Sequence, residues 1–147
     1  MSIEWPLPSG PSDMSVFTHD NTNAPSDILD ADQAFYVHVQ WSVPASYAPL
    51  MPGHDFRIRV FAESIGDGQE QQIGSTVVVP GTAGTNYVTH VKIPAGTLQG
   101  EGEPTSGGDV SSGVYKLLAV LQHRNGAGNP TTISGFAESR LIQLRTP

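Results

Sequence analysis

The chain has 147 residues, the length of one domain, which is enough to bury a core without help from disulfides or metals. Its net charge of -7, from 14 acidic and 7 basic residues, repels nucleic acid and excludes that partner class. The absence of cysteine excludes thiol nucleophiles, disulfide frameworks and zinc ribbons.

The composition favours an all-β fold. Glycine occurs 16 times and proline 12 times, against five phenylalanines, four tyrosines and two tryptophans, which is typical of many short strands joined by turns. No run of about 18 apolar residues is present, so we expect no membrane span and no membrane partner. A basic stretch followed by an apolar one is also missing at the N-terminus. We therefore expect no Sec signal peptide, and synthesis in the cytoplasm or delivery as part of a particle.

Residues 1–30 are predicted to form an extended Pro/Ser/Asp-rich arm, ahead of a β-sandwich domain at 31–147. The arm holds apolar side chains that are costly to leave in water: Trp5, Leu7, Met14, Val16 and Phe17. It can dock on its own domain as a first strand near residues 15–19. Alternatively it adds a strand to a neighbouring copy or another partner.

Strand patterns follow along the rest of the chain. In residues 34–43 apolar and polar side chains alternate, which places Phe35, Val37, Val39 and Trp41 on one buried face. Further strands are predicted at 56–63, 72–79, 87–93, 114–123 and 133–145.

The segment 114–123 is ambiguous. Val114, Leu117, Leu118 and Leu121 also have helical spacing, with Gly126 as a stop signal. We favour a central strand, because the neighbouring segments are strand-like and a strand buried on both faces gives the same apolar run.

Two sequence patterns resemble known sandwich families. Tyr115 follows Gly113 and precedes Leu117, which resembles the entry to the sixth strand of immunoglobulin domains with Leu in place of Cys. Trp41 before Pro44, the turn at 93–98 and the Asn/Gly-rich turn at 125–129 are similar to fibronectin type III domains. The resemblance covers residues 34–145 and implies an antiparallel immunoglobulin-like or fibronectin III-like sandwich of about seven strands.

The acidic, Gly-rich stretch 99–112 departs from both family patterns. We interpret it as an inserted loop that is either functional or disordered.

The sequence contains no motif for catalysis or cofactor binding that we recognise. The five histidines lack metal-ligand spacing. His38 and His90 could face each other across adjacent strands, although solvent-facing histidines are the simpler interpretation. Asp27, Asp30 and Asp32 are weak calcium candidates without the EF-hand pattern. No Gly-x-Ser-x-Gly elbow is present, so we expect no enzyme, no catalytic residues and no cofactor.

We therefore expect a non-enzymatic structural or protein-interaction module, an accessory or decoration-type subunit of a larger assembly such as a phage-like particle. Its partner is another protein or a further copy of itself. The candidate partner-binding residues lie in the arm and one end loop: Trp5, Leu7, Val16, Phe17, Tyr47, Leu50 and Met51.

The alternative function is binding of a small ligand or carbohydrate. Aromatic side chains would stack on the sugar and polar neighbours would bind its hydroxyls. The candidate residues are Tyr36, Gln40, Trp41 and Asp55.

Overall fold

The computed structural model describes residues 2–5, 12–66 and 70–147, and of Ser2 only the backbone. Over these residues the protein is all-β, with ten strands and a short 3-10 helix at Ala48–Leu50. No helix in the described ranges is both long and apolar enough to cross a membrane. In chain order the strands are β1 (Ser2–Glu4), β2 (Ser12–His19), β3 (Ile28–Asp30), β4 (Phe35–Ser42), β5 (Asp55–Ser64), β6 (Glu70–Pro80), β7 (Asn86–Ile93), β8 (Val114–Arg124), β9 (Pro130–Glu138) and β10 (Ile142–Arg145).

The strands form one mixed sheet. Its main order is β3-β10-β8-β9-β1-β2-β4-β7, with β5 beside β8 and β6 beside β5. All of these pairings are antiparallel except that of β3 with β10. The expected count of about seven strands and the purely antiparallel pairing are therefore corrected. The short strands β1 and β3 and the division of 133–145 into β9 and β10 account for the difference.

The segment at 114–123 is a strand, as favoured from the sequence. In β8 the side chains alternate between buried and half-buried. The strand pairs with β5, β9 and β10 and so occupies the centre of its part of the sheet. Tertiary pairing on both sides therefore overrides the helical spacing of its leucines.

The N-terminal segment docks on its own domain. β1 lies between β2 and β9, and β2 pairs with β4 from Met14 to His19. Ile3 is fully buried and Trp5 is 5% exposed. The first of the two alternatives for the arm, docking within its own chain, is therefore the arrangement that the structure has.

The sheet curls so that distant strands face each other across the core. Phe56 of β5 contacts Trp41 of β4, with ring centroids 5.6 Å apart, and Tyr87 of β7 at 4.9 Å. Trp41 and Tyr87 are themselves stacked at 5.4 Å. These rings belong to two layers, and the core lies between them.

The inserted loop 99–112 is held by hydrogen bonds to the sheet and within itself. The Glu101 amide donates to the Leu144 carbonyl of β10 at 2.9 Å, and the Ser111 amide donates to the Glu103 carbonyl at 2.7 Å. The fully buried Tyr115 donates its hydroxyl to the Gln99 carbonyl at 2.9 Å. The structure therefore has this loop ordered, and disorder, one of the two interpretations of the sequence, does not apply.

Candidate functional site

Three histidines converge on the outer face of β2, β4 and β7. His38 and His90 occupy opposed positions on β4 and β7, and His38 Nδ1 lies 2.8 Å from His90 Nε2. His19, at the end of β2, stacks against the His38 ring at 5.0 Å. One ring nitrogen of each histidine lies within 4.8 Å of the other two. We call these residues the three-histidine cluster.

A turn covers His19. Its Nδ1 lies 2.9 Å from Asn23 Oδ1, and Asn23 adopts a left-handed backbone conformation with φ 63°. Because an amide oxygen only accepts hydrogen bonds, this contact places the His19 proton on Nδ1. The Nε2 atom then carries the lone pair, and it is buried without a hydrogen-bond partner.

Asp20 stabilises the same turn. Its Oδ1 accepts hydrogen bonds from the Thr22 hydroxyl at 2.6 Å and from the amides of Thr22 and Ala24. These bonds, that from the Thr22 hydroxyl first, lower the pKa of Asp20 below its ordinary value. The aspartate is therefore ionised near neutral pH and keeps the turn in place over His19.

Burial favours the neutral form of His38. Burial lowers the pKa of His38, and the nearby His90 and His19 lower it further. The hydrogen bond that His38 donates to Gln40 raises the pKa and opposes these effects. The Gln40 contact joins His38 Nε2 and Oε1 at 3.4 Å. A neutral imidazole with its Nε2 proton directed at Gln40 presents its Nδ1 lone pair toward His90.

A second histidine pair lies in the other half of the sheet. His54 Nδ1 lies 3.1 Å from His123 Nε2, and His123 Nδ1 lies 2.8 Å from the Thr131 hydroxyl. Burial first, then the charge of His54, lowers the pKa of His123 against an opposing effect of Asp55. Both nitrogens of His123 have partners, and two histidines meet here, whereas three meet in the three-histidine cluster.

The outer face of β5, β8 and β9 carries an apolar strip. Phe136 is 52% exposed and lies opposite Val120, while Leu118 lies opposite Phe61. A shallow cleft of about 560 Å³ lies over Leu118, Val120 and Phe136. We call Phe61, Leu118, Val120 and Phe136 the outer strip.

Charged residues of opposite sign border the outer strip. On the β5 side lie Arg57, which is exposed, and Arg59, whose guanidinium lies 5.8 Å from the Phe61 ring. Arg59 Nε is buried without a hydrogen-bond partner. On the opposite side lie the exposed Glu138 of β9 and Glu4 of β1. The strip therefore has a basic border at Arg57 and Arg59 and an acidic border at Glu4 and Glu138. Lys116 of β8 forms an ion pair with Glu138, with Nζ 3.5 Å from Oε2, and the exposed Glu63 lies beyond Phe61 on β5.

Most of the partner-binding residues predicted from the sequence pack within this chain. Trp5, Val16 and Met51 are buried. Tyr47 is half-buried against Trp5, with ring centroids 5.1 Å apart. Leu50 is 60% exposed at the end loop.

The other two predicted partner-binding residues differ. Phe17 is half-buried and stacks on His38 at 4.3 Å, so it belongs to the wall of the three-histidine cluster. Leu7 lies outside the described residues.

The residues predicted to bind carbohydrate are not assembled into one platform. Trp41 is 3% exposed and faces the core, whereas half-buried Tyr36 and exposed Gln40 lie on the opposite face of the same strand. Asp55 forms an ion pair with Arg124 at 2.8 Å.

The weak calcium candidates are also divided. Asp27 pairs with Arg140 at 3.5 Å and Asp30 with Arg145 at 2.9 Å, while Asp32 is exposed. The two paired carboxylates thus already have cationic partners.

No protein-family model matches the chain, and no curated protein matches it.

Proposed function

We propose that the protein is a non-enzymatic structural module, an immunoglobulin-like β-sandwich that assembles through its outer strip, first with a second copy of itself and thereby into a larger assembly. The observation that carries the proposal is the exposed Phe136 beside Leu118 and Val120 on an outer sheet face. A contiguous apolar surface with a polar rim is typical of protein interfaces, in which phenylalanine is enriched.

The immunoglobulin-like part of the proposal rests on the buried tyrosine of β8. Tyr115 lies two residues before Leu117, the position that holds Cys in immunoglobulin domains, and its hydroxyl donates to the Gln99 carbonyl upstream. A tyrosine at this place that bonds back to the preceding backbone is typical of such sandwiches. The inserted loop lengthens the distance along the chain between the two residues.

The choice of a second copy rests on charge. We place two copies with their outer strips facing each other, related by a two-fold axis that runs parallel to β8 between them. In this arrangement the basic border of each strip lies over the acidic border of the other. Such a contact is self-complementary, as closed dimers require.

The test is the absolute mass of the protein by light scattering after size-exclusion chromatography, over a concentration series from micromolar to millimolar. We expect wild type to reach twice the 15.6 kDa chain mass, and Phe136→Ser to remain a monomer. The matched control is Val88→Ser, because Val88 is also 52% exposed but lies on β7, away from the strip.

Three results would overturn the assignment of a second copy to the strip. One is a wild-type protein that stays monomeric throughout the series. The second is a dimer that survives Phe136→Ser, and the third is one that Val88→Ser disrupts equally.

A further inference from the structure

The three-histidine cluster has the ligand types of a transition-metal site. Neutral imidazole nitrogens bind zinc, nickel, copper and cobalt ions, whereas calcium and magnesium take oxygen ligands. The ligand nitrogens come from three neighbouring strands and lie within 4.8 Å of one another. Strands paired by backbone hydrogen bonds hold such a set more rigidly than loops do.

The free lone pair of His19 also indicates a metal ligand. His19 Nε2 is buried and has no hydrogen-bond partner, although a buried polar atom is costly to leave unpaired. Its Nδ1 donates to Asn23 Oδ1 at 2.9 Å. When a histidine binds a metal, a hydrogen bond donated by its other ring nitrogen fixes the tautomer and the orientation of the ring.

His38 and His90 complete the set. His38 directs Nε2 to Gln40 and Nδ1 to His90 Nε2, 2.8 Å away. In a tetrahedral zinc site with bonds of 2.0–2.1 Å, ligand nitrogens lie about 3.3 Å apart. Metal binding therefore requires His38 Nδ1 and His90 Nε2 to move apart by roughly 0.5 Å. It also requires the proton between them to move from Nε2 to Nδ1 of His90. Because His90 is exposed, this rearrangement needs little movement of the core.

The geometry points to a binding site for one divalent transition-metal ion, of the zinc, nickel, copper and cobalt class, with His19 Nε2, His38 Nδ1 and His90 Nε2 as its ligands. A water molecule takes the fourth position on the solvent side, where His90 is exposed. Phe17, stacked on His38 at 4.3 Å, shields one flank of the site. This inference does not depend on the proposed self-assembly, since the outer strip lies on other strands.

The test uses the full chain without a histidine tag and titrates Zn²⁺ by calorimetry and Co²⁺ by visible absorption. We expect one equivalent of either ion to bind, with the strong visible bands of tetrahedral cobalt, and no heat from Mg²⁺ or Ca²⁺. His90→Ala is the decisive variant, because the exposed position of His90 lets the fold persist. It should remove the bands and the stoichiometric heat.

Two further variants separate ligation from other roles. Asn23→Gly leaves all three histidines in place and suits the left-handed backbone at this position, with φ 63°. It removes the acceptor of His19 Nδ1 and should weaken zinc binding about 10- to 100-fold. His54→Gln is the matched control, since it removes a histidine from the other pair and should leave the affinity unchanged. Equal zinc affinity in wild type and His90→Ala would overturn the inference, as would a wild type that binds no zinc or cobalt.

Discussion

Replacing Ile3 by alanine should destabilise the protein strongly, because β1 is a buried part of the sheet. The Ile3 side chain is 0% exposed, and its strand pairs on both sides, with β2 and β9. The substitution removes three carbons, worth about 2.4 kcal/mol at ~0.8 kcal/mol each. A residual cavity adds to this loss, so we expect the free energy of unfolding to fall by about 3 kcal/mol. For a chain of this size the midpoint of thermal unfolding should fall by roughly 6–12 °C.

The assay is urea unfolding followed by tryptophan fluorescence, with Glu4→Ala as the matched control. Glu4 lies on the same strand but is exposed, so its replacement should change the free energy of unfolding by less than about 0.5 kcal/mol. If Ile3→Ala cost no more than Glu4→Ala, β1 would not occupy its place between β2 and β9. The explanation of the N-terminal segment would then be wrong.

Two further predictions concern a strained glycine and a buried histidine. Gly113 has φ 71°, and a Cβ there would lie 2.6 Å from a backbone nitrogen. Gly113→Ala should therefore cost about 3 kcal/mol in urea unfolding, and Gly53→Ala, with φ 86° but open space around it, only about 1 kcal/mol. Burial, and after it the charge of His54, lowers the pKa of His123 below its ordinary value of 6.5, while Asp55 raises it. His123 is therefore protonated more readily in the unfolded chain than in the folded protein. The free energy of unfolding should therefore be highest above about pH 6.5 and decrease as the pH falls below it. We expect His123→Gln to reduce this dependence on pH, measured by urea unfolding from roughly pH 7.5 to 5.5. An unchanged dependence in the variant would contradict the role assigned to His123.

The strands with one buried face could be predicted from the sequence. In β4 the alternation of Phe35, Val37, Val39 and Trp41 with polar residues matches the observed burial along the whole strand. A period of two is a direct consequence of pleating, so it survives whatever the strand pairs with. The same alternation predicted the strands at 56–63 and 87–93, which the structure has as β5 and β7 to within one residue at each end.

The short strands could not be predicted in the same way. β1 and β3 have three residues each, which is too few for a period to emerge. Their pairing depends on β9 and β10, which lie more than a hundred residues away along the chain. Only the cost of exposing the apolar side chains of this segment, such as Trp5 and Val16, indicated that it would be covered.

The outer strip was missed partly because two of its residues, Leu118 and Val120, lie in an apolar run. The run from Leu117 to Leu121 indicated a strand buried on both faces, whereas Leu118 and Val120 are only half-buried on the outer face. Phe136 stood in a predicted strand without a marked face. The signal that was available is the mismatch between an outward Phe136 and its polar neighbours on β9.

The three-histidine cluster was half visible in the sequence. His38 and His90 were recognised as positions that could face each other, because both lie on the polar side of their strands. His19 was not connected to them, since the register of β2 against β4 and the turn at Asn23 are tertiary features. In the alternation of each predicted strand, all three histidines occupy positions on the outward-facing side. This shared side is the sequence feature that could have predicted the three-histidine cluster.

The most direct test of the proposed assembly is a pair of reciprocal charge reversals on the two borders of the outer strip. In the proposed contact, Arg57→Glu places an acidic side chain opposite Glu4 of the facing copy, and Glu4→Arg places a basic one opposite Arg57. Both positions are exposed, so we expect each variant to keep the fold. We expect each variant alone to self-associate about tenfold more weakly than wild type, because like charges then face each other. An equimolar mixture should recover dimers, identified as heterodimers by native mass spectrometry. A mixture that associates no better than its separate components would contradict the two-fold contact through this face.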